Sequence, residues 1–95
     1  MTAENNQVRK KILYSGNVQG VGFRYTTEQI ASQYPVNGYV RNLPDGRVEV
    51  VAEGVKSQIQ DFVDELQATM NDYIHDRQTS ESPATGEFKG FGVRF

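Results

Sequence analysis

Residues 36–53 read VNGYVRNLPDGRVEVVAE. Two β-prone runs, 36–42 and 47–53, flank Leu43-Pro44-Asp45-Gly46. Proline presets its own φ and glycine accepts a positive one, so Pro-Asp-Gly predicts a turn and the two runs predict a hairpin. On the second run Val48, Val50 and Ala52 share a face, while Arg47, Glu49 and Glu53 lie on the other with Val51 among them. Period-two alternation of this kind predicts a sheet with one face on a core and the other, carrying Glu49 and Glu53, in water.

Helical patterns stand on both sides of the hairpin. Upstream, Phe23, Thr27, Ile30, Ala31 and Tyr34 recur at three- and four-residue spacing, which predicts a helix over 23–34 closed by Pro35. Downstream, Gly54 ends the strand, and Ser57 with Gln60 reads as a capping box. Ile59, Phe62, Val63, Leu66 and Met70 then form one apolar stripe, which predicts a second helix packed on the core. Val8–Tyr14 suits a first strand with Ile12 and Tyr14 on one face. Residues 71–79 (NDYIHDRQT) read as a weakly patterned fourth strand, SESPATGE as a turn-rich loop, and FKGFGVRF as a short last strand. Phe88, Phe91 and Phe95 are expected in core and edge packing. The order is βαββαβ plus a C-terminal strand. Two helices on one face of an antiparallel sheet make an α+β, ferredoxin-like two-layer sandwich. That arrangement hosts many functions and decides none of them.

Composition narrows the chemistry. The chain has 95 residues, ten basic and twelve acidic, for a net charge of -2. Near-balance argues against a nucleic-acid coat, which needs clustered Lys and Arg. The absence of cysteine excludes disulfides, thiolate catalysis and cysteine metal sites. The single histidine, His75, has no metal-ligand spacing around it and reads as a surface or packing residue. The polar start MTAENNQVRKK is not a secretory signal, and no run approaches membrane-spanning length. These features predict a disordered tail over 1–7 and a single domain over 8–95. They describe a cytoplasmic monomer without nucleic-acid or membrane partners.

Between the first strand and first helix lies SGNVQGVGFR, residues 15–24. Three glycines fall within it and Arg24 follows at once. The loop is not a P-loop, because position 21, five places after Gly16, is valine and no Gly-Lys-Ser/Thr follows. It is not a dinucleotide fingerprint either, because Tyr25 stands where the third glycine belongs. Free amides at a helix N-terminus, wrapped by a glycine loop, can form a nest for an oxyanion. Arg24 adds a planar fork suited to phosphate, at a helix end where arginine opposes the macrodipole. A glycine turn beside a solvent-exposed arginine reads equally well from local chemistry. Asn42, next to Leu-Pro-Asp-Gly, reads from local chemistry first as a turn residue and only second as part of a polar site.

Two longer patterns tip the balance. LYSGNVQGVGFR resembles the first signature of the acylphosphatase family, carried here by Leu13, Gly16, Val18, Gln19, Gly20, Val21, Phe23 and Arg24. GYVRNLPDGRVEVVAEG resembles the second, carried by Gly38, Tyr39, Val40, Arg41, Asn42, Gly46, Val48 and Gly54. The resemblance extends over roughly residues 8–95, to the basic-aromatic pair Arg94-Phe95, and makes 8–95 an acylphosphatase-like domain. It implies the ferredoxin-like fold and hydrolysis of acyl phosphates to carboxylate and inorganic phosphate, with no metal, no cofactor and no covalent intermediate. It further implies that Arg24 binds the phosphoryl oxygens and that Asn42 orients the attacking water. The backbone amides of Gly16, Asn17, Val18, Gln19, Gly20 and Val21 complete the cradle. One departure is Asn17, at a loop position most often basic in the family, which lowers the local positive potential. The alternative on the same fold is a module that binds a phosphate-bearing ligand without turning it over. A third possibility, an RNA-binding sheet, would need paired exposed aromatic and basic residues on the central strands, which the sequence does not make evident.

Overall fold

The computed structural model describes residues 7–95. The expected tail therefore lies outside the described residues, except Gln7, which begins the first strand. The elements are β1 (Gln7–Gly16), α1 (Phe23–Ala31), β2 (Asn37–Asn42), β3 (Val48–Val55), α2 (Lys56–Thr69), β4 (Ile74–Pro83) and β5 (Phe91–Arg94). They form one five-stranded sheet in the order β4-β1-β3-β2-β5. The two-layer sandwich is as the element order predicts. The sheet is antiparallel except at its last edge, where β5 runs parallel to β2.

Register explains which residues make the core. Tyr14 pairs with Val48, Ile12 with Val50, and Val40 with Val50 from the other side. These residues point to the helix face, where Phe23, Ile30, Ala31, Ile59, Phe62, Val63 and Leu66 cover them. The two apolar stripes read in the sequence are thus the two helix faces in the core. Burial of this apolar surface is the main stabilising term of such a domain.

Several boundaries differ from the sequence expectation. Helix α1 stops at Ala31 rather than reaching Tyr34. Gln33 and Tyr34 donate backbone bonds to Ile30 and Ala31 at 3.0 and 3.1 Å, so the chain tightens into a turn before Pro35. Tyr34 keeps its place against the core by donating its hydroxyl to Glu65 at 2.6 Å and packing its ring near Phe62. The capping box does not form. Ser57 lies inside α2, Val55 occupies the cap position in extended backbone, and among the described residues no side chain caps the helix. Strand β3 runs through Gly54, because Val8 and Gln7 of β1 continue the ladder opposite Gly54 and Val55. Strand β4 extends to Pro83 and absorbs the first half of the stretch read as a loop, through a ladder to β1.

The largest correction concerns the second sheet face. Glu49 and Glu53 are buried, at 5% and 4% exposure, not solvated. Arg41 donates to Glu49 at 2.6 Å, Tyr39 donates its hydroxyl at 3.0 Å, and Lys11 lies 3.7 Å away. Glu53 accepts from the backbone N–H groups of Thr85 and Gly86 at 3.0 and 2.9 Å, from the Thr85 hydroxyl and from Arg9. The segment after β4 is therefore strapped across this face. Phe88 packs edge-on to Tyr39, and the Arg94 guanidinium lies 4.0 Å from the Tyr39 ring centroid.

Candidate active site

The glycine loop leaves the sheet where β1 ends. Gly16 pairs with Ile74 across a register shift, which frees the chain to turn away from the sheet at the end of β1. Two features pin the loop that follows. Val18 is fully buried in the core. The Gln19 carboxamide donates to the backbone carbonyls of Leu43 and Arg47 at 2.9 and 3.0 Å. One side chain thus ties the loop to the β2–β3 turn.

Gly20 and Gly22 have φ values of +80° and +77°, a conformation that a side chain would strain. Gly22 is the N-cap of α1, and the first turn contains no acidic residue and no side-chain cap bond. Among the described residues, the backbone N–H groups of 17–21 donate to no protein acceptor. Loop amides and helix end together make a patch of positive partial charge.

Arg24 is the second residue of α1. Its guanidinium lies 4.9 Å from the Phe95 ring centroid, and among the described residues it forms no ion pair within 4.0 Å. Thr27 donates to the Phe23 carbonyl at 2.7 Å, and Phe23 packs on Tyr14, so the first turn of α1 is anchored from below. Burial pushes the Tyr14 phenol up to about 12, with the Arg77 charge partly offsetting it, so that hydroxyl is neutral near pH 7.

Asn42 ends β2, half-buried, on the helix face of the sheet. The adjoining turn is closed by Leu43 N–H to Arg47 O, Gly46 N–H to Leu43 O, and Arg47 N–H to Asp45 Oδ1. None of these bonds uses the Asn42 side chain. The turn reading of Asn42 thus loses its support.

A cleft of about 420 Å³ opens between α1, the loop, the end of β2 and β5. Arg24, Asn42, Val18 and Gly20 line it together, although Arg24 and Asn42 are far apart in sequence. The other expected loop residues have different places. Gly16 closes β1, Asn17 is exposed, Gln19 turns its side chain to the hairpin, and Val21 packs partly against the core. The cleft also takes Tyr25, Glu28, Val93 and Phe95, which sequence reading did not assign to a site. Glu28 carried a usable signal, since it stands one helical turn after Arg24. Val93 and Phe95 carried none, because their place depends on β5 pairing with β2. Phe95 is exposed, not in the core, and its ring serves as a platform for Arg24. His75 stands exposed on β4. No group of three or more His, Asp or Glu residues is placed to hold a metal ion among the described residues. No helix there is long and apolar enough to cross a membrane.

Residues 10–93 match the family model described as Acylphosphatase. An acylphosphatase of a Nostoc species is 52% identical over 62 residues, 65% of this chain and 61% of the relative. The chain thus spans about three-fifths of that relative's length. An acylphosphatase of Rubrobacter xylanophilus is 38% identical over 95 residues, covering 99% of this chain and 86% of the relative. The crystal structure of acylphosphatase from Bacillus subtilis superposes with a TM-score of 0.83 at 31% identity, covering 93% of this chain and 99% of that one.

Proposed function

Since the chain belongs to the acylphosphatase family, we propose that it hydrolyses the mixed anhydride of a carboxylic and a phosphoric acid, releasing carboxylate and inorganic phosphate. The reading assigns Arg24 to the phosphoryl oxygens, with the amides of residues 16–21 completing the cradle. Asn42 orients the attacking water through its carboxamide. Water attacks phosphorus in line, the P–O bond to the acyl group breaks, and the carboxylate leaves with the bonding pair. A carboxylate is a good leaving group and hardly needs a proton. The proton of the attacking water goes to a phosphate oxygen of the substrate, because an amide is not a base near neutral pH. The work left to the protein is positioning and stabilising charge on the equatorial oxygens, which preorganised N–H donors and a guanidinium do. The reading needs neither metal nor cofactor, and one domain carries every group.

The observation that carries this proposal is that Arg24, Gly20 and Asn42 line one cleft, with Asn42 not used by its neighbouring turn. The test is hydrolysis of benzoyl phosphate by the purified protein with EDTA present, beside Asn42→Ala. We expect turnover in the parent chain and a loss of about a hundredfold or more in the variant, with phosphate inhibition retained, as for removal of one transition-state donor. Equal loss of phosphate binding would make Asn42 structural. Inhibition by EDTA would overturn the metal-free reading. Phosphate binding without turnover would leave a phosphate-binding module.

A further inference from the structure

The lining of the cleft is of two chemical kinds. Polar groups in its lining are the loop at Gly20 and Gly22, Arg24 and Asn42. The rest is walled by Val93, Phe95 and Tyr25, with Glu28 beside them. Tyr25 and Phe95 are exposed rings, at 66% and 99% exposure, so neither is consumed by the core. Among the described residues, Arg24 and Glu28 are the only charged side chains that line this cleft. They occupy positions i and i+4 of α1, so they share a helix face. Yet they form no ion pair within 4.0 Å among the described residues, and Arg24 lies over Phe95 instead. Glu28 is therefore not spent on neutralising the phosphate-binding cation.

From this arrangement, and resting on the function proposed above, we infer that Glu28 sets acyl-group specificity: the cleft takes an uncharged, apolar acyl group and rejects one carrying a second negative charge. With the phosphoryl group held at the loop by Arg24, the acyl group extends along the remaining walls. Apolar and aromatic acyl groups bury carbon against Val93, Tyr25 and Phe95. An acyl group ending in a carboxylate or phosphate meets the Glu28 carboxylate, and among the described residues the cleft offers it no cation besides Arg24. Like charges brought together in a partly desolvated site are disfavoured, and an unpaired charge set against the wrong ligand is an ordinary source of selectivity. A cationic acyl group should be tolerated for the same reason.

The experiment compares kcat/KM for benzoyl phosphate, 4-carboxybenzoyl phosphate and 4-(trimethylammonio)benzoyl phosphate at low ionic strength. Non-hydrolysable benzoylphosphonate and 4-carboxybenzoylphosphonate provide a parallel binding measurement. We expect the parent chain to disfavour the carboxylated member of each pair by about tenfold. Glu28→Gln should bring that ratio close to one, and Glu28→Lys should invert it. A change in general fold stability moves all three substrates together and leaves the ratios where they were. Equal rates for the three substrates in the parent chain, or a ratio unmoved by both variants, overturn the inference and leave the hydrolase reading intact. If no acyl phosphate turns over but the phosphonates bind with the expected ratio, the charge selectivity stands and the hydrolase reading falls. If neither phosphonate binds, both fall.

Discussion

Arg24 enters α1 at the helix end where positive charge is least favourable, in a first turn without an acidic neighbour. Two opposing local terms bear on its stability contribution. Its unfavourable position against the helix dipole costs about 0.3–1 kcal/mol. Its contact with the Phe95 ring returns about 0.5–1 kcal/mol at an exposed site. Arg24→Gln should therefore leave the melting temperature within about 4 °C, since 1 kcal/mol corresponds to several degrees for a domain of this size. Phosphate affinity and turnover should both be lost in the same variant. Arg24→Lys should recover only part of the function, because a point charge does not reproduce a planar fork. Calorimetry beside phosphate inhibition of benzoyl phosphate hydrolysis measures both halves. Full activity in Arg24→Gln would remove the anion site from this cleft. The arginine's anomalous position was visible in the sequence. Its platform was not, because Phe95 reaches it only through the parallel pairing of β5 with β2.

At the scale of elements, the loop and the hairpin are held together by Gln19. Its carboxamide spans the Leu43 and Arg47 carbonyls, so the loop that shapes the cradle is fixed to the turn that follows Asn42. Gln19→Ala removes both bonds, each worth about 0.5–1.5 kcal/mol net. Two carbonyls on a half-buried turn can be rehydrated, so the stability loss should stay near 2 kcal/mol. The kinetic loss should be larger in proportion. We expect kcat/KM to fall about tenfold or more, because small displacements of positioned groups are costly. A variant that lost stability but kept kcat/KM would make this tie merely structural. The sequence placed Gln19 in the loop and the turn at Leu-Pro-Asp-Gly, but nothing in either stretch announced the bond between them. The same limit governs the other elements. The stripe Ile59, Phe62, Val63, Leu66 and Met70 was legible because a core-facing helix repeats every three to four residues, and all five are buried. Strand β4 was barely legible because its residues are almost all exposed. A backbone ladder to β1 holds it, and backbone bonds leave no alternation of side chains to read.

The whole molecule is a sheet with its cleft on one face and, on the other, two buried carboxylates each held by its own partners. Glu49 and Glu53 stand on the face opposite Val48, Val50 and Ala52, as solvated residues would, and only the buried Val51 between them hinted at a covered face. Glu53 is covered by Thr85 and Gly86, which are remote in the chain, and Glu49 by Tyr39, Arg41 and Lys11 of neighbouring strands. The cover over Glu53 has a consequence for the site, because the strapped segment leads directly into β5, and β5 supplies Val93 to the cleft. Burial pushes both carboxyls up, but their partners outweigh it and hold both below the ordinary glutamate range. For Glu49 these are hydrogen bonds from Arg41 and Tyr39 with the charges of Arg41 and Lys11, and for Glu53 the N–H groups of Thr85 and Gly86, the Thr85 hydroxyl and Arg9. A carboxyl with a lowered folded pKa contributes stability that is fully present above its unfolded value, about 4.5, and is lost as pH falls through the folded value. The melting temperature should therefore be level from pH 7 to about 5 and drop as pH falls below about 4.5. Glu53→Gln should lower it at pH 7 and flatten the acid slope, since one of the linked protons is then gone while those of Glu49 and Asp45 remain. Hydrogen exchange should show 84–90 and β5 loosening together in that variant, with benzoyl phosphate turnover declining alongside. A melting temperature unchanged between pH 5 and 3 would mean that neither carboxylate is linked to folding. An acid slope unaltered by Glu53→Gln would assign the linkage elsewhere. If 84–90 loosens while β5 keeps its protection, the strap covers the far face without holding the wall of the cleft.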